Sequence, residues 1–279
     1  MPVKDIVVVY HGGCRDGFGG AWAAWKKFGD SADYFPAQRT QNPPELKNKE
    51  IYFIDFTYSA EITKKFIAEN KKVIIIDHHI TAKETSELVS DKLFDINHSG
   101  AVLAWNYFFP DQTAPKLIQH IEDADLWKFN LENTRAVTAF LELYDFDFKL
   151  WSEFVSGMED LEKRKKYIEE GSVVLRYEAA LLKDAVENRS ELVEFEGYKI
   201  LAINYPNFLA SDLGHAFVKK NPPMGIIWSE KKGFITVSLR SDGIVDVSVI
   251  AQKYGGGGHK SAAGFSFDAN QPKPWRRIN

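Results

Sequence analysis

Three short, unbroken apolar runs near the start of the chain restrict its fold more than any other feature. They lie within residues 5–10 (DIVVVY), where the run starts at Ile6, 51–54 (IYFI) and 73–76 (VIII), and helical patterns at 17–28 and 58–69 separate them. Strands that lack polar alternation are buried on both faces, which is typical of a parallel sheet covered by helices. The sequence therefore predicts an α/β fold that begins with a parallel-sheet domain.

The second half of the chain predicts a separate α/β unit. Residues 136–188 are charged and helical in period, as expected for a solvated connector. Strand patterns return at 194–204, 224–228, 233–240 and 263–267, with helical patterns at 209–218 and 247–252. We predict a first domain over residues 1–150, a helical connector over 151–190 and a smaller α/β domain over 191–279. The tail from residue 268, rich in Pro, Asn and Arg, is expected to be poorly ordered.

Composition limits the class of partner. The chain of 279 residues has a net charge of −4, which argues against a broad basic surface that coats long nucleic acid. A small phosphorylated substrate in a local pocket remains compatible with this charge. No apolar run reaches the roughly 18 residues that span a membrane. The chain shows no secretory leader pattern, and its single cysteine cannot form an internal disulfide, so we expect a cytoplasmic protein without a membrane partner.

Side chains that bind metals follow each of the three apolar runs. They are His11, Cys14 and Asp16 after the first run, Asp55 after the second, and Asp77, His78 and His79 after the third. The carboxyl ends of parallel strands meet at one edge of a sheet, so we expect these side chains to converge. Each alone has an ordinary explanation, such as a turn or a helix cap. Together they would place like charges close to one another, which is costly unless a cation neutralises them.

A fourth acidic segment is a candidate for the same site. Asp123 and Asp125 lie at the end of a predicted helix, and the pattern does not decide which of them takes part. Carboxylates mixed with imidazoles suit Mn²⁺ or a similar divalent ion. Two such ions a few ångströms apart could clamp a phosphate and activate water.

Four consecutive glycines, at residues 255–258, precede His259 and Lys260. The interior of a strand or helix does not favour such a run, and a flexible linker is the alternative explanation. A loop of exposed backbone N–H groups followed by His and Lys is suited to binding phosphate. Arg240, at the end of the strand pattern VSLR, could grip the same phosphate with two hydrogen bonds, although a surface arginine explains it equally well.

In their order along the chain, these motifs resemble the DHH phosphoesterases that carry a C-terminal DHH-associated domain. The resemblance rests on HGGCRDG, FIDF, IIDHH, SGAVLAW, EDAD and VSLRS…GGGGHKSAAGF, and it covers nearly the whole chain. This group includes nanoRNases (oligoribonucleases), phosphatases of 3′-phosphoadenosine 5′-phosphate, cyclic-di-AMP phosphodiesterases and RecJ-like exonucleases. The length is most similar to the compact nanoRNase type. The resemblance implies two domains and two Mn²⁺ ions.

The resemblance also implies roles for individual residues. The metal ligands would be His11, Cys14, Asp16, Asp55 as the bridging carboxylate, His78 and Asp123, with Asp125 competing for the last role. Asp77 and His79 would support the ligands or face the substrate as part of the catalytic group. The substrate phosphate would be held by Arg240, Gly256, Gly257, Gly258 and His259.

One residue departs from the family's usual motif, because Cys14 stands where most members have an Asp. A thiolate is a softer ligand than a carboxylate and prefers Zn²⁺ or Fe²⁺ to Mn²⁺. Cys14 would therefore ligate and shift the metal preference, leave one metal site weak, or serve as a small structural residue. Since every other expected ligand is present, we expect activity to be retained.

The resemblance predicts a metal-dependent phosphodiesterase that hydrolyses short oligonucleotides or dinucleotides to mononucleotides. Its cofactor would be two divalent ions, Mn²⁺ first, with Zn²⁺ or Mg²⁺ as alternatives. A phosphatase of 3′-phosphoadenosine 5′-phosphate, a cyclic-dinucleotide phosphodiesterase and a nucleotide- or RNA-binding protein with a decayed metal site are the other interpretations. The expected partner is a short RNA or DNA oligonucleotide or a small nucleotide, and the chain is compatible with a homodimer.

Overall fold

The structure is a computed structural model that describes residues 3–38 and 42–278. The chain divides into two compact units, Met1–Leu175 and Arg176–Asn279. Each unit has its own sheet, with five strands in the first and seven in the second, so the predicted α/β fold class is confirmed. No helix of the described residues is both long enough and apolar enough to cross a membrane.

An all-parallel sheet in the order β2-β1-β3-β4-β5 forms the centre of the first unit. Its strands are β1 (Ile6–His11), β2 (Ala32–Ala37), β3 (Glu50–Ile54), β4 (Lys72–Asp77) and β5 (Asp91–Phe94). The three predicted strands are β1, β3 and β4. Successive residues of these strands enter separate cores on the two faces of the sheet, which explains their unbroken apolar pattern.

The two edge strands were not predicted, because neither carries a strand pattern. β2 contains Pro36, which an edge position tolerates, and β5 has four residues that are all half-buried. The strand order changes direction between β1 and β3, since β2 lies beside β1 while β4 and β5 follow β3. In open α/β sheets, ligand sites form at such a switch, outside the carboxyl ends of the strands.

Eight helices accompany the first sheet or follow it. They are α1 (Arg15–Phe28), α2 (Ala60–Glu69), α3 (Lys83–Ser86), α4 (Gly100–Phe108), α5 (Lys116–Asp125), α6 (Thr134–Leu141), α7 (Phe148–Glu159) and α8 (Leu161–Asp184). α1 and α4 pack in the core of one face and α2 in that of the other. This arrangement brings the first turns of α1 and α4 to the carboxyl edge of the sheet.

The segment predicted as a connector contains α7 and α8 and ends in a π-helical turn at Ala185–Arg189. α7 buries Trp151 and Phe154 in the core of the first unit, whereas most residues of α8 are at least partly exposed. A Cβ atom at Gly171 would lie 1.8 Å from the carbonyl oxygen of Ala136, so this glycine allows α8 to approach α6. The boundary between the two units falls within α8.

A mixed sheet in the order β10-β11-β9-β8-β7-β6-β12 forms the second unit. Its strands are β6 (Glu191–Phe195), β7 (Tyr198–Asn204), β8 (Met224–Lys231), β9 (Phe234–Ser241), β10 (Gly257–His259), β11 (Ala262–Asp268) and β12 (Arg276–Arg277). Its helices are α9 (Ala210–Lys220) and α10 (Val247–Lys253). The two helices contribute to separate cores, α10 to one and α9 to the other.

Two sequence predictions for this unit are wrong. The run 194–204, predicted as a single strand, belongs to β6 and β7, which a tight turn joins where Glu196 and Gly197 have φ of 49° and 82°. The tail, predicted to be poorly ordered, contains β12, which pairs with β6. Trp275 anchors the tail, because its ring centroid lies 6.4 Å from that of Phe195 and large aromatic side chains gain much from burial.

Candidate metal centre

Seven side chains from four segments come together beyond the carboxyl ends of β1, β3 and β4. They are His11, Cys14, Asp16, Asp55, His78, His79 and Asp125. Three combinations of them could each hold a metal ion, with ligand atoms within 4.8 Å of one another: His11–Cys14–Asp55, Asp55–His78–His79 and Asp16–His78–Asp125. The sequence expected convergence at this edge, and six of these seven residues were predicted ligands or catalytic residues.

Asp55 is the hub of the cluster, and its side chain is only 3% exposed. Oδ2 lies 3.4 Å from Nδ1 of His11 and 3.5 Å from Sγ of Cys14. Oδ1 lies 3.1 Å from Nε2 of His78 and 3.6 Å from Nδ1 of His79. The two oxygens of one carboxylate therefore face two different groups of ligands, which is the geometry of a bridging carboxylate.

The backbone of Asp55 is in the left-handed region, with φ of 56°. Few residues other than glycine adopt this conformation, but Asp tolerates it better than most. The amide of Asp55 still donates to the carbonyl of Ile76 at 2.9 Å, so β3 keeps its contact with β4 up to this point. The turn therefore comes directly at the end of β3.

The first turn of α4 holds the carboxylate of Asp16. The amides of Gly100 and Ala101 donate to its two oxygens at 2.7 and 2.9 Å, at a helix end that favours negative charge. Asp16 is 2% exposed, and its Oδ2 lies 3.7 Å from Nε2 of His78. Asp125 reaches the same nitrogen of His78, also at 3.7 Å. Asp16, His78 and Asp125 thus form one of the groups that could hold a metal ion.

Cys14 has a structural role besides its position in the cluster. It is the N-cap of α1, and its sulfur accepts a hydrogen bond from the amide of Gly17 at 3.2 Å. The same sulfur lies 3.3 Å from Nδ1 of His11. Burial raises the pKa of the thiol, and the nearby carboxylates of Asp55 and Asp16 raise it further. A bound cation would favour the thiolate, because a coordinating thiol loses its proton.

The electrostatics of the cluster favour a cation. Burial raises the pKa of Asp16 well above its usual value, and the charges of Asp125 and Asp55 add to this effect. Burial alone would also raise the pKa of Asp55, but the hydrogen bonds of His11 and His78 lower it. Burial would lower the pKa of His78, yet its carboxylate neighbours raise it to about 9. Oxygen, nitrogen and sulfur donors around excess negative charge fit a divalent metal ion.

Asp77 holds the turn that presents the two histidines. It is 1% exposed, and its Oδ1 accepts the amides of His78 and His79 at 2.7 and 2.9 Å and lies 2.8 Å from Nδ1 of His79. Its Oδ2 accepts the hydroxyl of Thr57 at 2.8 Å. Both oxygens of Asp77 are thus occupied, one by its own turn and the other by the loop after β3. His79, in contrast, also lies near Asp55.

Three comparisons with known proteins bear on this arrangement. The DHHA1 domain matches residues 210–273 of the chain. The uncharacterized protein R106 of Acanthamoeba polyphaga mimivirus is 33% identical over 289 residues, which cover 94% of this chain and 67% of the viral protein. The oligoribonuclease NrnB of Bacillus subtilis (strain 168) is 25% identical over 230 residues, which cover 75% of this chain and 56% of NrnB.

The chain belongs to the DHH phosphoesterase family. Among solved structures, RecJ from Thermus thermophilus in complex with Mn²⁺ has a TM-score of 0.52 with this DHH protein at 15% identity. The match covers 94% of this chain and 49% of the RecJ chain. At this level of identity the likeness concerns the fold. The match spans just over half the length of NrnB. The similarity therefore does not by itself assign the activity of NrnB to this chain.

In this DHH phosphoesterase, Asp123 lies outside the cluster. Its Oδ1 accepts the amide of Asn130 at 2.7 Å, and its Oδ2 accepts the amide of Leu131 at 3.0 Å and the hydroxyl of Thr134 at 2.5 Å. Burial would raise its pKa, but these hydrogen bonds lower it. Asp123 therefore stabilises the loop between α5 and α6. Asp125, the competing candidate, is the residue that lies close to His78 in the cluster.

Two predicted substrate-binding residues share one face of the DHH-associated domain. Arg240 of β9 lies opposite Ala262 of β11, and Ala262 lies opposite His259 of β10. Residues directly opposite each other point to the same face, and two strand spacings amount to about 10 Å. The guanidinium of Arg240 donates to Oγ of Ser211 at 3.0 Å, and a Cβ atom at Gly214 would lie 2.3 Å from its Cγ. α9 thus orients Arg240 beside the small Ala262.

The glycine run is not the open loop that the sequence predicts. The amides of Gly255 and Gly256 donate to carbonyls at the end of α10, at 3.0 and 2.9 Å, and Gly257–His259 form strand β10. A Cβ atom at Gly256 would lie 2.1 Å from the carbonyl oxygen of Gly264, so the absence of side chains allows two backbones to meet. Among the three predicted phosphate-binding glycines, Gly256 therefore has an amide that is already engaged.

Sequence reasoning missed Gly100 as a residue of the site, although it stands in the motif SGAVLAW. A Cβ atom there would lie 2.5 Å from Cβ of Asp55 and 3.0 Å from Oδ2 of Asp16. The first residue of α4 must therefore be glycine for both carboxylates to approach the helix. The signal in the sequence is a glycine directly after the Ser99 N-cap, where a helix has no need of one.

We expect Gly100→Ala to reduce kcat/KM for a nucleotide substrate by about 100-fold, because displacing two ligands by a few tenths of an ångström or more disturbs the geometry on which catalysis depends. The overpacking should also cost about 1–3 kcal/mol of stability. Gly157→Ala is the control, since its Cβ would meet Oη of Tyr167 at 2.3 Å, away from the cluster. If both variants lose activity equally per folded molecule, the close approach at Gly100 has no special role.

Proposed function

We propose that this protein is a divalent-metal-dependent phosphodiesterase that hydrolyses short oligonucleotides or dinucleotides to mononucleotides. The observation that carries the proposal is the buried carboxylate of Asp55, whose two oxygens face separate groups of ligands. The name of NrnB as an oligoribonuclease and the Mn²⁺ in the RecJ structure support it from relatives.

One ion would be held by His11, Cys14 and Asp55, and the second by Asp16, Asp55, His78 and Asp125. Mn²⁺ is the first choice for the second group, because its donors are carboxylate oxygens and an imidazole nitrogen. When bound, two such ions neutralise charge on a phosphate and lower the pKa of water. Asp125 thereby takes the ligand role that the sequence gave first to Asp123.

The remaining residues of the centre position groups or move a proton. Asp77 fixes the ring of His79 through Nδ1, which lies 2.8 Å from its Oδ1. Burial would lower the pKa of His79, but Asp77 and Asp55 raise it, so the ring is suited to give a proton to a leaving oxygen. The first turns of α1 and α4 keep Cys14 and Asp16 in place.

The division of labour between the domains is part of the proposal. Residues 1–150 would carry catalysis, 151–190 would connect, and 191–279 would bind the substrate phosphate through Arg240, His259, Gly257 and Gly258, since the amide of Gly256 is already engaged. The support is the shared face of Arg240 and His259. A cytoplasmic location and assembly into a homodimer stay predictions from the sequence.

We expect Arg240→Ala to raise KM for a 5′-phosphorylated dinucleotide about 10- to 100-fold while kcat falls less, because a charged hydrogen-bond donor to phosphate is lost. Arg240→Lys should recover part of the loss, since a lysine keeps the charge but not the two-pronged geometry. Steady-state kinetics on pApA measure both, with the exposed Arg176→Ala as control. A KM unchanged in Arg240→Ala would remove this residue from substrate binding.

The experiment that tests the function is a turnover assay with the purified, metal-stripped protein. The substrates are pApA, a five-nucleotide RNA, cyclic-di-AMP and 3′-phosphoadenosine 5′-phosphate, each with Mn²⁺, Zn²⁺ or Mg²⁺. Fastest cleavage of pApA or the RNA supports the proposal. Preference for either of the other two substrates would replace it with a cyclic-dinucleotide phosphodiesterase or a phosphatase. Metal binding without any turnover would indicate a binding protein with a decayed site.

Cys14 gives a second, separate expectation about the metal. Replacing it with Asp should raise the ratio of Mn²⁺- to Zn²⁺-supported turnover about tenfold, because a hard oxygen ligand replaces a soft sulfur. Cys14→Ser is the matched control: Ser and Asp both cap helices well, so α1 should persist in each variant. A ratio that is equal in Cys14→Asp, Cys14→Ser and the wild type would mean that the sulfur does not ligate.

A further inference from the structure

A cavity of about 340 Å³ lies beside the metal centre, between the loop after β3 and the loop after β4. Residues from both loops line it together with three members of the cluster, His11, Asp55 and His79, and with Asp77, which holds His79. Ligand pockets in proteins start at about 300 Å³, so this cavity suits a group no larger than one nucleoside. Whatever occupies it lies next to the atoms that would hold the reacting phosphate.

Hydroxyl groups dominate the rest of the lining. Five of the lining residues carry one: Thr57, Tyr58, Ser59, Thr81 and Thr85. The described lining contains neither Lys nor Arg, and the carboxylates of Asp55 and Asp77 border the cavity. A second phosphate would find no cation here, whereas a neutral group with several hydroxyls would find both donors and acceptors.

Two of these hydroxyls belong to buried residues and have no hydrogen bond to any described residue. Tyr58 is 7% exposed and Thr85 is 6% exposed. Among the described residues, the one fully buried side-chain nitrogen or oxygen without a partner is Nε1 of Trp151, so the hydroxyls of Tyr58 and Thr85 are accessible to solvent and can form hydrogen bonds with a ligand. The hydroxyl of Thr57 already donates to Asp77, but its oxygen can still accept. The cavity thus offers hydroxyl groups that the fold itself does not use.

The aromatic side chains of the lining argue against a site that stacks a base. Phe56 lies edge-on to Tyr58, with ring centroids 4.8 Å apart, and stacks on His11 at 6.3 Å. Tyr58 in turn packs on Phe66 at 5.8 Å. Because the faces of these rings already pack against other side chains, they belong to the core and are not available to stack on a base. A ligand in the cavity would therefore be recognised by hydrogen bonds.

We propose that this cavity is a ribose subsite, which receives the sugar of the nucleotide attached to the reacting phosphate and makes the enzyme prefer RNA to DNA. The inference rests on the proposed function, and it adds the sugar as the feature that is recognised. Hydrogen bonds from the Thr85 and Tyr58 hydroxyls to ribose hydroxyls satisfy both side chains. A deoxyribose forms at least one hydrogen bond fewer with these side chains, so it should bind more weakly than a ribose.

The test compares the full-length protein on pApA and its 2′-deoxy counterpart pdApdA, by kcat/KM with Mn²⁺ and by calorimetric binding to the metal-stripped protein. The wild type should prefer the ribose form at least about tenfold. Thr85→Val and Tyr58→Phe should each reduce this preference about 3- to 10-fold, the effect of one hydrogen bond of usual strength. The exposed Thr113→Val is the control and should keep the preference of the wild type.

Two mixed dinucleotides, each with one ribose and one deoxyribose, add a positional readout. One of them should behave like pApA and the other like pdApdA, because a single cavity reads a single sugar. Cleavage of pApA and pdApdA at equal rates, or a preference that neither variant changes, overturns the subsite and leaves the phosphodiesterase in place. Binding that depends on ribose without turnover overturns the phosphodiesterase and supports the subsite. Absence of both binding and turnover overturns both.

Discussion

We expect Asp55→Asn to lower kcat by at least about 1,000-fold, which corresponds to about 4 kcal/mol of transition-state stabilisation. Asp55 is the one carboxylate that faces both groups of ligands, so its loss weakens both metal positions at once. Asparagine has nearly the same volume and also tolerates the left-handed backbone at this position, so the fold should persist. Turnover of pApA and calorimetric titration with Mn²⁺ measure the two effects.

Asp95 offers a matched control for this experiment. It also follows a strand of the parallel sheet, β5, but its carboxylate accepts from the amide and side chain of Asn97 and lies outside the cluster. Asp95→Asn should therefore keep turnover within about twofold of the wild type, as surface substitutions away from such features usually do. Wild-type turnover in Asp55→Asn would end the two-metal account.

The second large effect separates Asp125 from Asp123. Asp125→Asn should weaken Mn²⁺ binding about 10- to 100-fold and lower kcat/KM in proportion, because a charged ligand becomes a neutral one. It should not lower the melting temperature of the metal-free protein, since it removes one of several like charges around His78. The measurements are calorimetry with Mn²⁺, kinetics on pApA and thermal melting without metal.

Asp123→Asn should show the opposite pattern. Its carboxylate accepts two amides and one hydroxyl, and the loss of charge should cost about 2 kcal/mol, or roughly 5 °C in the melting temperature of a unit of this size. Mn²⁺ binding per folded molecule should stay close to that of the wild type. If Asp123→Asn loses metal affinity while Asp125→Asn retains it, the assignment of the fourth ligand is reversed.

The parallel sheet and the cluster of His and Asp side chains at its edge were predictable because they depend on strong local signals. A run such as Val73–Ile76 can be buried on both faces only inside a covered sheet, and the direction of a parallel strand fixes which end carries the next polar residue. Asp55 and His78 follow directly from this rule. The edge strand β2 does not, because only its first and last residues are buried and a proline interrupts it.

The choice between Asp123 and Asp125 depended on the rotation of one helix, which the structure provides. Leu117, Ile118 and Ile121 are buried on one side of α5. At 100° per residue, Asp125 lies on the same side of α5 as these residues, at the more exposed end of the helix, whereas Asp123 points to the opposite side, where it is also buried. The apolar phase of the helix is therefore a better guide to the ligand than the position of the motif.

The glycine run could not be interpreted from composition, because glycine permits both an open loop and the close approach of two strands. Only the pairing of β10 with β11 shows which of these the chain uses. The same ambiguity explains why Gly100 escaped notice. Its role depends on Asp16 and Asp55, which are 84 and 45 residues away in the sequence.

The order in which β1, β3, β4 and α5 contribute to the cluster has a consequence for how the protein matures. The ligand side chains span residues 11 to 125, so any short piece of the chain carries only an incomplete set. Contacts between residues this far apart in the sequence form late in folding, because closing long loops costs conformational entropy. A divalent ion held by this cluster would therefore bind only to chains that have already assembled the sheet, and it would stabilise the completed fold rather than initiate folding.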